Sequence, residues 1–127
     1  DGDVLIHSLI DAILGASGLG DIGSMFPDND MEYYNIDSTE LLGIIRDKIN
    51  RIGLEIVNVD ITVIAEIPRL NLYKQAIQNK LSEILRIDKS WINIKATTTE
   101  KLGFLGRKEG LAVQSVVNLK YINWRNL

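Results

Sequence analysis

Apolar residues recur at helical spacing along the first part of the chain. They are Val4, Leu5, Leu9, Ile13 and Leu14. Three polar residues between them, Asp3, His7 and Asp11, follow one another at intervals of four and therefore share one helical face. The pattern predicts a helix from Asp3 to about Ser17 that carries a single polar stripe.

Glycines then interrupt this pattern, and the sequence FPDND adds a proline and turn-forming residues. We predict a loop from Gly18 to Ile36 that has room for a short helical turn. A second helix is predicted over Thr39 to Ile52. Asp37 or Ser38 can cap its first turn, and Gly53 ends it.

The second half of the chain alternates strand and helix patterns. LEIVNVDITVIAE is rich in β-branched residues and predicts a long strand; Pro68 suits the start of a third helix that ends near Arg86. Two further strands are predicted, one from Trp91 to Ala96 and one from Leu111 to Ile122. This order predicts one α+β domain over residues 1–127, a two-layer sandwich with helices on one face of a mixed sheet.

Composition narrows the function classes. The 127 residues carry a formal net charge of -3, which argues against a nucleic-acid partner, and they contain no cysteine, so disulfides and thiolate metal sites are excluded. The apolar stretch near the start is interrupted by His7 and Asp11 and is too short for a membrane span. We therefore expect neither nucleic acid nor membrane as a partner.

The polar stripe of the first helix is a candidate metal site. His7 offers an imidazole, and Asp3 and Asp11 could support it; a solvated surface histidine is the alternative. A catalytic zinc usually has three protein ligands, so other ligands would have to come from elsewhere. By spacing alone, the neighbouring Gly-rich segment indicates a helix end and a loop rather than a phosphate-binding P-loop.

The segment KATTTEKLGF places three hydroxyls and Glu100 at the end of a strand, where α/β folds often bind ligands. A helix-capping box from Thr97 to Glu100 is the alternative reading. Four basic residues in and around this segment could bind phosphates or could form a solvated face: Lys95, Lys101, Arg107 and Lys108.

Three segments together resemble the 2-C-methyl-D-erythritol 2,4-cyclodiphosphate synthase family. They are DGDVLIHSLIDAILGASGLGDIGSMFPDND, NVDITVIAEIPRL and KATTTEKLGFLGRKEG. The resemblance implies a bacillus chorismate mutase-like fold, a homotrimer with active sites between subunits, and a lyase of the non-mevalonate isoprenoid pathway. That enzyme converts 4-diphosphocytidyl-2-C-methyl-D-erythritol 2-phosphate to the 2,4-cyclodiphosphate plus CMP.

The resemblance also implies site residues. His7 corresponds to a ligand of zinc or another divalent transition metal, and Glu100 to a ligand of magnesium or manganese. Thr98 and Glu100 correspond to the catalytic residues, with the Thr98 hydroxyl polarising a phosphate. The methylerythritol part is expected to contact Asp21, Ile22, Gly23, Phe26, Pro27, Asp28, Asn29 and Asp30. The cytidine diphosphate is expected to contact Ala65, Glu66, Ile67, Pro68, Arg69, Leu70, Asn71, Thr97, Thr98, Thr99, Glu100, Phe104 and Arg107.

One part of the family pattern is missing from the printed sequence. Family members carry an Asp-x-His motif and a His-Ser pair upstream of the segment that begins here with Asp1. We therefore expect the printed chain to lack N-terminal strands and two zinc ligands, and to be inactive by itself. The alternative is a non-catalytic cytidine-nucleotide-binding or assembly homologue. Residue usage is compatible with a bacterial cytoplasm or a plastid-type organelle.

Overall fold

The computed structural model describes residues 2–26, 36–65, 70–98 and 111–123. The helices in these ranges are α1 (Gly2–Ser17), α2 (Ile22–Met25), α3 (Ser38–Arg51) and α4 (Lys74–Leu85). The strands are β1 (Leu54–Ile64), β2 (Ile92–Thr97) and β3 (Ala112–Tyr121). Short 3-10 turns span Leu70–Leu72 and Lys89–Trp91. No helix of the described ranges is long and apolar enough to cross a membrane.

The three strands of the described residues form one mixed sheet in the order β2-β1-β3. β1 runs parallel to β2, with Val59 opposite Ile92, and antiparallel to β3, with Val59 opposite Val117. These three side chains are buried, so they mark the face of the sheet that lies against the core.

The helices pack on this face. Ser8 of α1 lies 2.9 Å, Oγ to Oγ, from Ser115, whose register partner Ile61 is fully buried. The apolar residues of α1, α3 and α4 join the strands in one cluster, whose fully buried helical members include Leu9, Ile10, Ile13, Leu14, Leu42, Ile45 and Ile49. The predicted α+β layering, with helices on one face of a mixed sheet, is thus confirmed for the described residues.

Local sequence signals explain most element boundaries. Asp37 is the N-cap of α3, and its Oδ1 accepts from the Thr39 N–H at 2.8 Å, so Asp37 rather than Ser38 caps this helix. Gly53 follows α3 with a φ of +91°, a conformation that suits glycine. The helical turn expected in the long loop is α2.

Several boundaries differ from the prediction by one or two residues, and the start of the third long helix differs by more. The third long helix begins at Lys74, because a 3-10 turn occupies Leu70–Leu72; Pro68 lies outside the described residues. Trp91 belongs to a 3-10 turn capped by Asp88 and is 58% exposed, so β2 begins one residue later than expected.

Candidate active site

The polar stripe of α1 lies on the exposed side of the helix. Asp3, His7 and Asp11 are all exposed, as the spacing predicted. The two carboxylates bond to other elements: Asp3 Oδ1 accepts from Ser38 Oγ at 2.5 Å, and Asp11 Oδ1 accepts from the Ile22 N–H at 2.8 Å. These bonds hold the beginning of α3 and the beginning of α2 beside α1.

The described residues do not make a metal site by themselves. Within them, no three His, Asp or Glu side chains gather around one point. His7 contributes one accessible imidazole, while Asp3 and Asp11 have the partners given above. Glu100, the other predicted ligand, lies outside the described residues.

Asp21 holds the turn that follows α1. Its Oδ1 accepts from the Ser24 N–H at 2.8 Å and so caps α2. This backbone hydrogen bond, with help from the Ser24 side chain and Gly23, lowers the pKa of Asp21. Gly20 precedes it with a φ of +96°, which a residue with a side chain adopts only under strain. The turn therefore presents an ionised carboxylate.

The other predicted contact residues in this loop differ in how far they are buried. Ile22 is half-buried and packs against the core, while Gly23 is exposed. Phe26 is only 8% exposed and belongs to the core cluster, so its ring holds the loop against the domain. Pro27, Asp28, Asn29 and Asp30 lie outside the described residues.

Two predicted segments meet at the end of the parallel strand pair. Ile64 of β1 lies opposite Thr97 of β2, and the Ala65 N–H donates to the Thr97 carbonyl oxygen at 3.1 Å. Ala65 is buried, whereas Thr97 and Thr98 are exposed at the edge. The carboxyl ends of parallel strands are a frequent ligand-binding position in α/β folds.

An apolar cavity of about 370 Å³ lies on the core side of this edge. Leu70, which the resemblance assigns to the nucleotide, lines it together with Gly2 at the start of α1. Its other walls come from α1, from α4 with the residue before it, and from the end of the β1–β3 pair where Val63 lies opposite Val113: Leu5, Val63, Tyr73, Ile77, Leu111 and Val113. Asn71 is exposed in the turn after Leu70. The start of α1 and the turn before α4 thus share one cavity.

The remaining predicted contacts lie outside the described residues: Glu66, Ile67, Pro68, Arg69, Thr99, Glu100, Phe104 and Arg107. The expected basic patch is therefore visible only at Lys95. Its Nζ lies 2.9 Å from Asp60 Oδ2, on the sheet face opposite the helices, so a carboxylate already pairs with this cation.

Sequence patterns missed two residues beside the site. Ser38 is 8% exposed and donates to Asp3, but Ser38 looked only like a possible helix cap. Tyr73 lines the cavity although 59% of its side chain is exposed. An exposed aromatic residue just before an amphipathic helix was the available signal for Tyr73.

Comparison with known proteins gives a consistent picture. Residues 1–120 match the model of the YgbB family. A curated relative, the bifunctional enzyme IspD/IspF of Aliarcobacter butzleri, is 59% identical over 125 residues, which are 98% of this chain and 33% of the relative. The chain thus spans about a third of the length of the curated relatives it matches.

Solved structures show the same likeness. The bifunctional IspDF of Campylobacter jejuni superposes with a TM-score of 0.91 at 58% identity, over 98% of this chain and 34% of that one. A CDP complex of IspF from Plasmodium falciparum gives 0.83 at 37% identity, over 94% and 72%. A CDP-bound 2C-methyl-D-erythritol-2,4-cyclodiphosphate synthase gives 0.81 at 28% identity, over 91% and 74%.

Proposed function

The chain belongs to the YgbB family, and from this premise we propose that it forms the cyclodiphosphate synthase part of its protein, a lyase of the non-mevalonate isoprenoid pathway. The substrate is 4-diphosphocytidyl-2-C-methyl-D-erythritol 2-phosphate, and the products are 2-C-methyl-D-erythritol 2,4-cyclodiphosphate and CMP. An oxygen of the 2-phosphate attacks the β-phosphorus. The bond from that phosphorus to the CMP oxygen breaks, and CMP leaves with the electron pair.

This reaction asks for positioning and charge neutralisation rather than for a protein nucleophile. Attacking phosphate and leaving group belong to one substrate, so holding both ends in line supplies a large part of the rate. A chain without cysteine and with a single histidine is compatible with such chemistry. Hydroxyl and backbone donors aimed at the phosphate oxygens stabilise part of the developing charge.

The contact between Ala65 and Thr97 is the main observation that supports the proposal. Their backbone hydrogen bond joins the turn proposed to bind cytosine to the threonines proposed to bind the diphosphate. In this arrangement Thr98 polarises a phosphate at the transition state, and Thr97 stands beside it. Leu70 and Asn71 follow on the cytidine side, where Leu70 lines the apolar cavity and Asn71 is exposed.

The opposite end of the substrate is assigned to the loop after α1. The exposed turn Asp21–Gly23 would hold the methylerythritol part through its backbone groups and the ionised Asp21 carboxylate. The buried ring of Phe26 supports this placement, because it fixes the end of the turn against the core. Residues Pro27 to Asp30 complete the proposed contacts.

Metal dependence belongs to the proposal as well. Divalent cations neutralise charge on phosphate oxygens in reactions of this class. His7 would supply one ligand to zinc or a similar metal, and Glu100 would bind magnesium or manganese. The exposure of the His7 imidazole supports its role.

We also propose a homotrimer with active sites between subunits. In the described residues the helices cover one face of the sheet, so the other face is available to a partner. It carries polar residues such as Asn58 and Asp60 together with Val116, which is 56% exposed. Light scattering coupled to size exclusion should give three times the protomer mass; a stable monomer at micromolar concentration would contradict this assembly.

Turnover is the direct test. The full-length protein, supplied with zinc and magnesium, should release CMP from the cytidine-linked substrate and form the cyclic diphosphate, which phosphorus NMR identifies. His7→Ala and Glu100→Gln should abolish release. Absence of turnover by an intact, metal-loaded trimer would refute the proposal.

One alternative is a cytidine-nucleotide-binding or assembly homologue that lacks catalysis. The contact between Ala65 and Thr97 at the proposed nucleotide site would serve such a protein equally well, because it needs no metal. For such a protein CMP should still raise the melting temperature, because it binds only the native state, whereas zinc should not. The synthase should respond to both.

A further inference from the structure

The two acids that flank His7 hold the two ends of one segment. Asp11 accepts from the Ile22 N–H at the beginning of that segment, and Asp3 accepts from Ser38 Oγ at its end. Successive residues of the stripe lie about one helical turn apart on α1. These two hydrogen bonds therefore join later parts of the chain to α1 on either side of His7.

The bond from Asp11 matters because α2 is too short to fix its own position. It has four residues, and isolated helices of that length are unstable in water. Its first-turn N–H groups need acceptors outside the helix. Asp21 accepts a hydrogen bond from the Ser24 N–H, and Asp11 accepts one from the Ile22 N–H.

The platform beneath α2 is rigid by comparison. On the inner side of α1, Leu9, Ile10, Ile13 and Leu14 are fully buried, so the backbone that carries Asp11 is fixed by the core. A carboxylate accepting from a backbone N–H makes a stronger bond than a neutral acceptor does. The Ile22 amide is thus held at a defined place relative to α1 and its polar stripe.

We propose that Asp11 is a positioning residue for the reaction: its hydrogen bond to Ile22 fixes the Asp21–Gly23 turn beside His7. The inference rests on the proposed function, because it takes that turn to hold the methylerythritol end of the substrate. Asp11 acts through Ile22 and touches neither substrate nor metal. Asp11 was expected to support His7, and its hydrogen bond to Ile22 gives it a role toward the loop.

Asparagine separates the two roles. Asp11→Asn keeps an oxygen acceptor of the same reach for the Ile22 N–H and removes the negative charge. Asp11→Ala removes both. A positioning role needs the acceptor, whereas support of a metal-bound histidine needs the charge.

The experiment compares these two variants in the metal-loaded full-length protein. Asp11→Ala should lower kcat/KM on the order of 10-fold, mainly through a higher KM, because one charge-assisted hydrogen bond is lost. Asp11→Asn should stay within about 3-fold of wild type, since its neutral bond is weaker but present. Amide exchange at Ile22, followed by NMR, should accelerate in Asp11→Ala and change little in Asp11→Asn.

Asp88→Ala is the matched control. Asp88 Oδ1 caps the Lys89–Trp91 turn by accepting from the Ser90 N–H at 2.9 Å, so this variant also removes an aspartate that holds a short turn. It should leave kcat/KM and Ile22 exchange unchanged.

The outcomes separate the inference from its premise. Equal losses in Asp11→Ala and Asp11→Asn, or no loss in Asp11→Ala, would overturn the positioning role. If the wild-type protein shows no turnover, the proposed function is refuted. Amide exchange at Ile22 then still decides whether Asp11 holds the turn. Unchanged exchange at Ile22 in Asp11→Ala would overturn the positioning role as well. The CMP-induced rise in melting temperature should persist in both variants.

Discussion

The backbone N–H of Ala65 donates to the carbonyl oxygen of Thr97, N to O 3.1 Å. The bond continues the parallel pairing of β1 and β2 by one residue beyond Ile64, so that two segments far apart in the chain leave the sheet side by side. A residue inserted in either strand before this point would shift the two exits relative to each other. The register of the sheet therefore aligns the two halves of the proposed nucleotide site.

Thr98 is the first side chain to test at this edge. Thr98→Val keeps the shape and removes the hydroxyl, so kcat should fall on the order of 100-fold if that hydroxyl stabilises charge in the transition state. The rise in melting temperature caused by CMP should persist. Steady-state kinetics and a thermal shift titration measure the two effects. Ser90→Ala, which removes a hydroxyl from the distant Lys89–Trp91 turn, should leave kcat unaltered; equal losses in both variants would contradict the role of Thr98.

Ser38 and Asp3 should be energetically coupled. Ser38 is buried and donates to the Asp3 carboxylate at 2.5 Å, so Ser38→Ala should lower the free energy of unfolding by about 1 to 2 kcal/mol. Asp3→Ala should have little further effect in the Ser38→Ala background. Urea unfolding of both single variants and the double variant gives the coupling energy. Additive losses would show that the hydrogen bond contributes nothing in solution.

Local signals were sufficient for much of the fold. The i, i+4 stripe located α1, Asp37 capped α3, and the alternation of β-branched residues located β1 and β3, because each of these features depends on neighbours in the sequence. The start of α4 was predicted too early. A proline compatible with a first helical turn does not determine whether the chain first makes a 3-10 turn, as it does at Leu70–Leu72.

The partners of polar side chains could not be predicted from spacing. Asp3 and Asp11 were interpreted as supports for His7 because they share its helical face. In the structure they accept hydrogen bonds from Ser38 and from the Ile22 N–H, which belong to later segments of the chain. Lys95 was predicted to lie either in a phosphate-binding patch or on a solvated face, and strand pairing puts it opposite β1, where it meets Asp60. Such contacts depend on loop closure and register, which periodicity does not encode.

Acid should destabilise the fold through aspartates whose carboxylates accept hydrogen bonds in the folded state. The backbone hydrogen bond from Thr39 lowers the pKa of Asp37, that from Ser90 lowers the pKa of Asp88, and the Lys95 hydrogen bond lowers the pKa of Asp60, each from the ordinary value of 3.8. Since their folded-state pKa values are lowered, these carboxylates stabilise the fold above about pH 3.8. They lose that contribution as the pH falls through the lowered pKa values of the folded state.

The expected result is a free energy of unfolding that is insensitive to these groups from about pH 7 to about pH 5 and declines at lower pH. Urea unfolding at a series of pH values measures it. The double variant Asp37→Asn and Asp88→Asn, whose carboxamides do not titrate, should decline less steeply than wild type. An equal or steeper decline would exclude these two caps as a source of the acid sensitivity.

Arg86 should be replaceable by glycine with a gain in stability. It follows the last residue of α4 with φ 58° and ψ 41°, the left-handed conformation in which a side chain is disfavoured, and its N–H donates to the Ser82 carbonyl oxygen. Glycine adopts that conformation without strain but loses more backbone entropy on folding. We expect Arg86→Gly to raise the free energy of unfolding by about 0.5 to 1 kcal/mol.

Arg51→Gly, an exposed change inside the last turn of α3, should lower the free energy of unfolding by up to about 1 kcal/mol. Urea unfolding of both variants tests the difference in sign, and a loss of stability in Arg86→Gly would show that the arginine side chain contributes more than its backbone strain costs.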